Sequence, residues 1–399
     1  MFSRIALALA SLVTTLVLIP AASGAADQPP IRIGIVYSYT GSSPTAGPAL
    51  DASISAWLAL HNQLVGGRKV QIIRRDDTGP APDVAARQAQ ELVVSEHVDF
   101  LMGSIFTPDA IAIMRVSTAA KVPFFIVNAA TNGILTNAPY SFRFGASIQQ
   151  NTAPLAIWAG RSGIKSVYNV TSDYAPGIES DKVFSSVFIS NGGGKVLGDL
   201  HVPVTANDFT SYMQRVKDAK PEANFAFIVA GSPSVAFFKA SKLAGFEAAG
   251  IKTIVNGATV DELDLDAIGD YALGVISCAQ YSWTHKSRLN EAYLAAYHRV
   301  ATNGVKNPDF MAEGGYDIMS AIDRVVAAQG GANSGTLDLD KTLATLKGLK
   351  LDSPRGPIQV DPKTRELIQN IYIRKVQKVE GILANVEFET FPQIPGDYP

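Results

Sequence analysis

The chain has 399 residues, of which 47% are hydrophobic and 18% charged, with a formal net charge of −2. That length is enough for two domains with substantial cores. The near-neutral balance, free of basic blocks, argues against a nucleic-acid binder, and a single cysteine, Cys278, excludes an internal disulfide.

In chain order, Arg4, the apolar run 5–19, Pro20 and the small residues 21–26 read as a secretory signal cleaved near Ala26. No cysteine follows it, which excludes a lipid anchor on a new N-terminal cysteine. The remaining chain is expected to be soluble and exported. IRIGIVYSYTG opens it, with a buried-type strand over 31–36. Helical spacing predicts 48–64, then strand 69–74, helix 83–95, strand 98–102, helix 108–120 and strand 122–127. The pattern restarts with strand 164–171, helix 177–190, strand 195–200, helix 208–219, strand 225–230, helix 233–244 and strand 252–255. NGGGKV at 191–196 lacks the Ser or Thr and the earlier glycine of a phosphate loop and reads as a helix-ending turn. Short-looped alternation of this kind predicts an α/β fold of two similar doubly wound parallel-sheet lobes, with sites beyond the C-terminal strand ends.

Two echoes support the duplication. VNAAT at 127–131 returns as VNGAT at 255–259, and Gly103-Ser104 returns as Gly231-Ser232. Both are offset by 128 residues (103 to 231, 127 to 255). Small residues let a ligand approach the backbone. Thr107 is a good N-cap type followed by Pro108 at the first helical position, and a helix start favours an anion. With the Thr131 hydroxyl nearby, these residues predict a small carboxylate site.

Other chemistry is not supported. There is no nucleophile elbow and no dinucleotide fingerprint. The five histidines, His61, His97, His201, His285 and His298, show no metal-ligand spacing. Asp76-Asp77 and Asp261-Glu262 read as solvated or capping acids, and Cys278 as a small buried hydrophobe. No cofactor, metal or catalytic residue is expected.

IRIGIVYSYTG, IIRRDD, ELVVSEHVDFLMGS, PFFIVNAAT, TSDYAPG and SPRGPIQVDP, in that order, resemble the periplasmic substrate-binding proteins of the Leu/Ile/Val-binding class, across essentially the whole mature chain. The resemblance implies the type I periplasmic binding protein fold with a three-crossover hinge. It puts lobe 1 at 27–147 plus 281–368 and lobe 2 at 148–280 plus 369–399. It implies a monomeric receptor that closes on a small molecule and delivers it to the membrane permease of an ABC importer. Its carboxylate ligands fall on Thr107, beside Ile105 and Phe106, and on Ala129, Ala130 and Thr131. Its closing aromatic falls on Tyr174, and a second-lobe tyrosine becomes Ser232. The acid that holds an amino acid's ammonium becomes Thr259, with Asp261 and Glu262 close enough to replace it, and a further acidic position becomes Ile148. Burying an unpaired ammonium is costly. The expected ligand is therefore a carboxylic acid without an amine, of the aromatic type, with Phe106, Tyr174 and Tyr281 as walls. A branched-chain amino acid receptor, a sensor of the same fold and an exported hydrolase are the alternatives.

Overall fold

Isoleucine at alternate positions defines β1 (Ile31–Tyr37), where Ile31, Ile33 and Ile35 are all fully buried. In the computed structural model, which describes residues 28–398 apart from 42, 303 and 334, this strand begins an alternation. The expected signal segment lies outside the described residues. After β1 come α1 (Ala46–Leu60), β2 (Leu64–Val65), β3 (Arg68–Asp76), α2 (Pro82–Val94), β4 (Phe100–Gly103), α3 (Thr107–Ala120), β5 (Phe124–Ile126) and β6 (Ser141–Arg143). Helix α1 stops four residues before the expected Leu64. Asn62 and Gln63 adopt φ of 56° and 61°, and Leu64–Val65 turns back to pair with Arg68–Lys69.

The second alternation comprises α4 (Ile148–Arg161), β7 (Ser166–Ser172), α5 (Ala175–Ser190), β8 (Lys195–Val202), α6 (Thr210–Ala219), β9 (Ala223–Phe227), α7 (Ser232–Leu243), β10 (Lys252–Asn256), the short α8 (Leu265–Ile268) and β11 (Ile276–Ala279). The chain then adds α9 (Arg288–Val300), α10 (Phe310–Ala328), α11 (Leu339–Leu346), β12 (Lys350–Ser353), β13 (Gly356–Val360), β14 (Leu367–Val379) and β15 (Ile382–Ile394). The chain closes with the long hairpin of β14 and β15.

The sheet orders explain the echoed sequences. The first sheet runs β2-β3-β1-β4-β5-β6, and the parallel part of the second runs β8-β7-β9-β10-β11. Taking the parallel strands of each half in chain order, both follow 2-1-3-4-5, the doubly wound order that opens a crevice where the winding reverses. VNAAT follows β5 and VNGAT ends β10, the fourth strand of each half. The Gly-Ser echo is not equivalent. Gly103 ends β4, three residues before α3, whereas Gly231 stands four residues beyond β9, directly before α7. Gly103 takes φ 138°, and a Cβ there would lie 2.0 Å from the Val36 carbonyl oxygen. Only glycine fits between β1 and β4 at this point.

Buried apolar residues separate into two bodies. One draws on 31–144 and 279–367, the other on 146–278 and 371–394. Strand β14 belongs to both. Leu367 and Ile368 pair with β13, while Tyr372–Lys375 pair antiparallel with β11. A register break between Gln369 and Ile371 marks the transition.

Candidate ligand-binding site

Between the two lobes lies a cleft of about 540 Å³. Its walls are the loops beyond the C-terminal strand ends: Ile105–Pro108 after β4, Asn128 and Ala130 after β5, Tyr174 and Pro176 after β7, Val229–Pro233 after β9, and Asn256 and Ala258 at β10. Phe227, Phe310, Met311 and Ile148 complete a mostly apolar surface.

Three helices begin at this cleft, and each has proline within its first turn: Thr107-Pro108 in α3, Ala175-Pro176 in α5 and Ser232-Pro233 in α7. None has a side-chain cap. Their first-turn N–H groups have no partner within the helix, and the helix dipoles add partial positive charge. Among the described residues, no charged side chain lines the cleft. An anion is therefore favoured, and a cation would find no counter-charge.

Thr107 is the first helical residue rather than the cap, which is Phe106. Its hydroxyl is thus free of capping and lies 3.0 Å from the Thr131 hydroxyl. Among the described residues, none accepts a hydrogen bond from the main-chain N–H of Ala130 or Thr131. Two hydroxyls and two N–H groups thus form a donor cluster of the kind that can receive a carboxylate, with Thr107 and Ala130 in the cleft lining and Thr131 outside it. Arg143, fully buried, braces it from behind by donating to the carbonyls of Ala129 (3.0 Å) and Thr131 (2.7 Å), and pairs with Glu366. Nothing in SFRFG marked Arg143 as more than a strand-end charge.

The other expected residues divide. Ile105, Phe106, Tyr174 and Ser232 line the cleft, and Tyr174 stacks on Phe227 at 6.1 Å. Burial raises the pKa of the Tyr174 phenol, which keeps it neutral. Ala129 is fully buried at φ 40°, and its N–H is given to the Ile105 carbonyl, so it supports the cradle without facing the ligand. Thr259 does not reach the cleft either. Its hydroxyl accepts from the Ile228 N–H (2.8 Å) and donates to the Ile228 carbonyl (3.1 Å), tying β10 to β9. Tyr281 is fully buried and donates to Asn290, while Phe227 and Phe310 provide aromatic wall that the sequence reading missed.

The paired acids were expected to be solvated or capping. Asp76 caps a turn, accepting from the N–H groups of Tyr39 and Thr78. Asp77 and Asp261 also cap turns, accepting from the N–H groups of Gly79 (3.0 Å) and Leu263 (2.9 Å), but they are buried and not solvated. Burial, then the neighbouring Asp309, drives the Asp261 carboxyl well above its ordinary range. Burial pushes Glu262 to about 7 against the pull of Arg374. Neither acid lines the cleft. Cys278 is fully buried, which pushes its thiol up to about 12. Among the described residues, one group of metal-ligand type, Asp181, Asp199 and His201, comes together outside the cleft lining.

Asp109, in the first turn of α3, is fully buried, and neither of its oxygens has a partner. Burial first, and Asp77 second, push its carboxyl to about 7. A neutral Asp109 leaves the positive end of α3 to an incoming anion. Because an aspartate in the unfolded chain titrates near 3.9, the folded state holds the extra proton between roughly pH 4 and 7. The associated stability is complete below about pH 4 and lost as pH rises through about 7. Asp109→Asn should therefore raise the unfolding temperature by about 2–4 °C at pH 8 and leave it nearly unchanged at about pH 3.5, with an intermediate shift at pH 5. An equal shift at the highest and lowest of these pH values in a thermal melt would refute the assignment.

Comparison with known proteins agrees with this architecture. The family model described as "Periplasmic binding protein" matches residues 30–380. A Leu/Ile/Val-binding protein homolog 6 of Brucella melitensis is 35% identical over 382 residues, covering 95% of this chain and 96% of its own. A solute-binding protein of an ABC transporter from R. palustris, solved in complex with 4-hydroxybenzoate, is 36% identical with a TM-score of 0.87, over 92% of this chain and 99% of its own. Another, from Rhodopseudomonas palustris BisB5 in complex with 3,4-dihydroxybenzoic acid, is 37% identical with a TM-score of 0.85, over 92% and 98%. With its two doubly wound lobes, the cleft between them and a match over most of its length, the chain belongs to the periplasmic binding protein family.

Proposed function

We propose that this protein is the periplasmic solute receptor of an ABC importer and that it captures an aromatic carboxylic acid lacking an amino group. One observation carries the reading: three uncapped helix starts meet at an apolar cleft that, among the described residues, no charged side chain lines. A carboxylate gains from the helix ends and the Thr107–Thr131 cradle. An α-ammonium would be buried without a counter-charge, which costs several kcal/mol. The solved relatives that hold 4-hydroxybenzoate and 3,4-dihydroxybenzoic acid support the same ligand class.

The binding set is Ile105, Phe106, Thr107, Ala130 and Thr131 from lobe 1 (27–147 plus 281–368), with Tyr174 and Ser232 from lobe 2 (148–280 plus 369–399). Hinge closure brings them together around the ligand. The receptor acts as a monomer, without cofactor or turnover, and passes its cargo to a membrane permease. The Leu/Ile/Val-binding name of the Brucella relative favours a second reading, a branched-chain amino acid receptor.

A thermal-shift panel on unfolded-and-refolded protein separates the two. At about a hundred times its dissociation constant, a ligand adds roughly 2.7 kcal/mol of stability and shifts the melt by several degrees. Benzoate or a hydroxybenzoate should produce the shift and leucine should not. A shift with leucine alone would replace the aromatic reading by the amino acid one.

A further inference from the structure

Four asparagines line the cleft; Asn128 and Asn207 are open to solvent, which can serve their carboxamide oxygens, and the Asn256 oxygen is bonded within the fold. Asn128 donates to the Ile105 carbonyl (3.2 Å) and Asn207 to the Thr205 carbonyl (3.2 Å). Asn256 accepts from the Ala258 N–H (3.0 Å) and donates to the Asn151 main-chain carbonyl (3.4 Å). Asn151 itself, on α4 of lobe 2, is 6% exposed, and its Oδ1 has no hydrogen-bond partner. A buried carboxamide oxygen without a partner is uncommon and calls for an explanation. Here the side chain belongs to the wall of a cavity, so a ligand can supply the missing donor.

The donor's chemistry follows from the surroundings. The acceptor is neutral and, among the described residues, no acidic side chain lines the cleft, so nothing compensates a cation. A hydroxyl gives one hydrogen bond and brings no charge. Ile105, Phe106, Ile148, Phe227, Phe310 and Met311 offer a hydroxyl no acceptor, and the other polar lining residues, among them Ser43, Thr78, Thr205 and Ser232, are not buried, so water can satisfy them. The carboxylate cradle belongs to lobe 1 and Asn151 to lobe 2. A rigid ring with a carboxylate on one side and a hydroxyl elsewhere thus spans both lobes in the closed state.

We propose that Asn151 determines specificity by accepting a hydrogen bond from a ring hydroxyl, so that the receptor selects hydroxylated aromatic acids over unsubstituted ones. This rests on the aromatic-acid reading of the cleft. A site built to pair a ligand hydroxyl rejects the analogue that lacks it, because the protein group then stays buried and unpaired.

The test is calorimetric titration of refolded protein with benzoate, 4-fluorobenzoate, 3-hydroxybenzoate and 4-hydroxybenzoate. In the unmodified protein at least one hydroxybenzoate should bind about tenfold or more tighter than both benzoate and 4-fluorobenzoate. In Asn151→Leu and Asn151→Ala that preference should fall below about twofold. The Asn151 Oδ1 bonds nothing in the fold, and matching thermal melts confirm that the variants are intact. A preference that survives in both variants overturns the role of Asn151, as does equal binding of all four acids by the unmodified protein. Failure of every aromatic acid to bind the unmodified protein overturns the reading of the cleft itself.

Discussion

Arg355→Met should lower the unfolding temperature by about 6–15 °C, the largest effect expected of a single substitution outside the cleft. Arg355 is 1% exposed and lies between two buried acids of α10, 3.1 Å from Glu313 and 2.6 Å from Asp317. It also donates to the Phe144 carbonyl (2.8 Å), where the chain leaves lobe 1. Removing the guanidinium strands two carboxylates in the interior, which costs about 3–5 kcal/mol. The origin of the loss is testable. Adding Glu313→Gln and Asp317→Asn to Arg355→Met should restore at least half of it, because no charge then remains unpaired. A single variant that melts within about 2 °C of the unmodified protein would show that the triad contributes little.

The second large effect concerns binding. Thr131→Val and Thr107→Val should each weaken the preferred aromatic acid about 10- to 100-fold, the loss of a buried hydrogen bond to a charged group. The two hydroxyls lie 3.0 Å apart and bond to each other, so their losses should not multiply. In the double variant the weakening should be less than the product of the two singles. Titration of the four proteins completes the cycle. An affinity within twofold of the unmodified protein in both single variants would remove the carboxylate from this cradle. Valine keeps the β-branched shape at both positions, so the melts should barely move.

Much of the architecture was legible because local pattern and topology agree. The alternation of strands and helices gives the doubly wound class, and the repeat of VN(A/G)AT marks the fourth strand of each half. The same repeat misled where side-chain roles were concerned. Thr131 turns to Thr107, which lines the cleft, whereas Thr259 closes on Ile228 inside lobe 2. Five shared letters fix a backbone path but not the neighbours. Burial of charge was equally hidden. Arg143 finds Glu366 223 positions away, and Arg355 finds Asp317 38 positions away, so neither arginine differs locally from a surface one. Asn151 sits in QQNTAP without periodic signal, and only the tertiary fold leaves its oxygen unpaired. One signal was read only at its first occurrence: Thr107-Pro108 returns as Ala175-Pro176 and Ser232-Pro233, and the three pairs open three helices at one cleft.

Strand β14 is shared by both lobes, and its ladder is already broken between Gln369 and Ile371. The Gln150 side chain donates to the carbonyls of Leu367 and Ile394 and takes a hydrogen bond from Gln369 (3.1 Å), gripping the strand beside the break. A ribbon clamped this way behaves as a torsion bar: it yields by twisting at its weakest point and resists sliding or splaying. Relative motion of the lobes about this strand is therefore expected to concentrate as a twist beside Gln369 and Ile371.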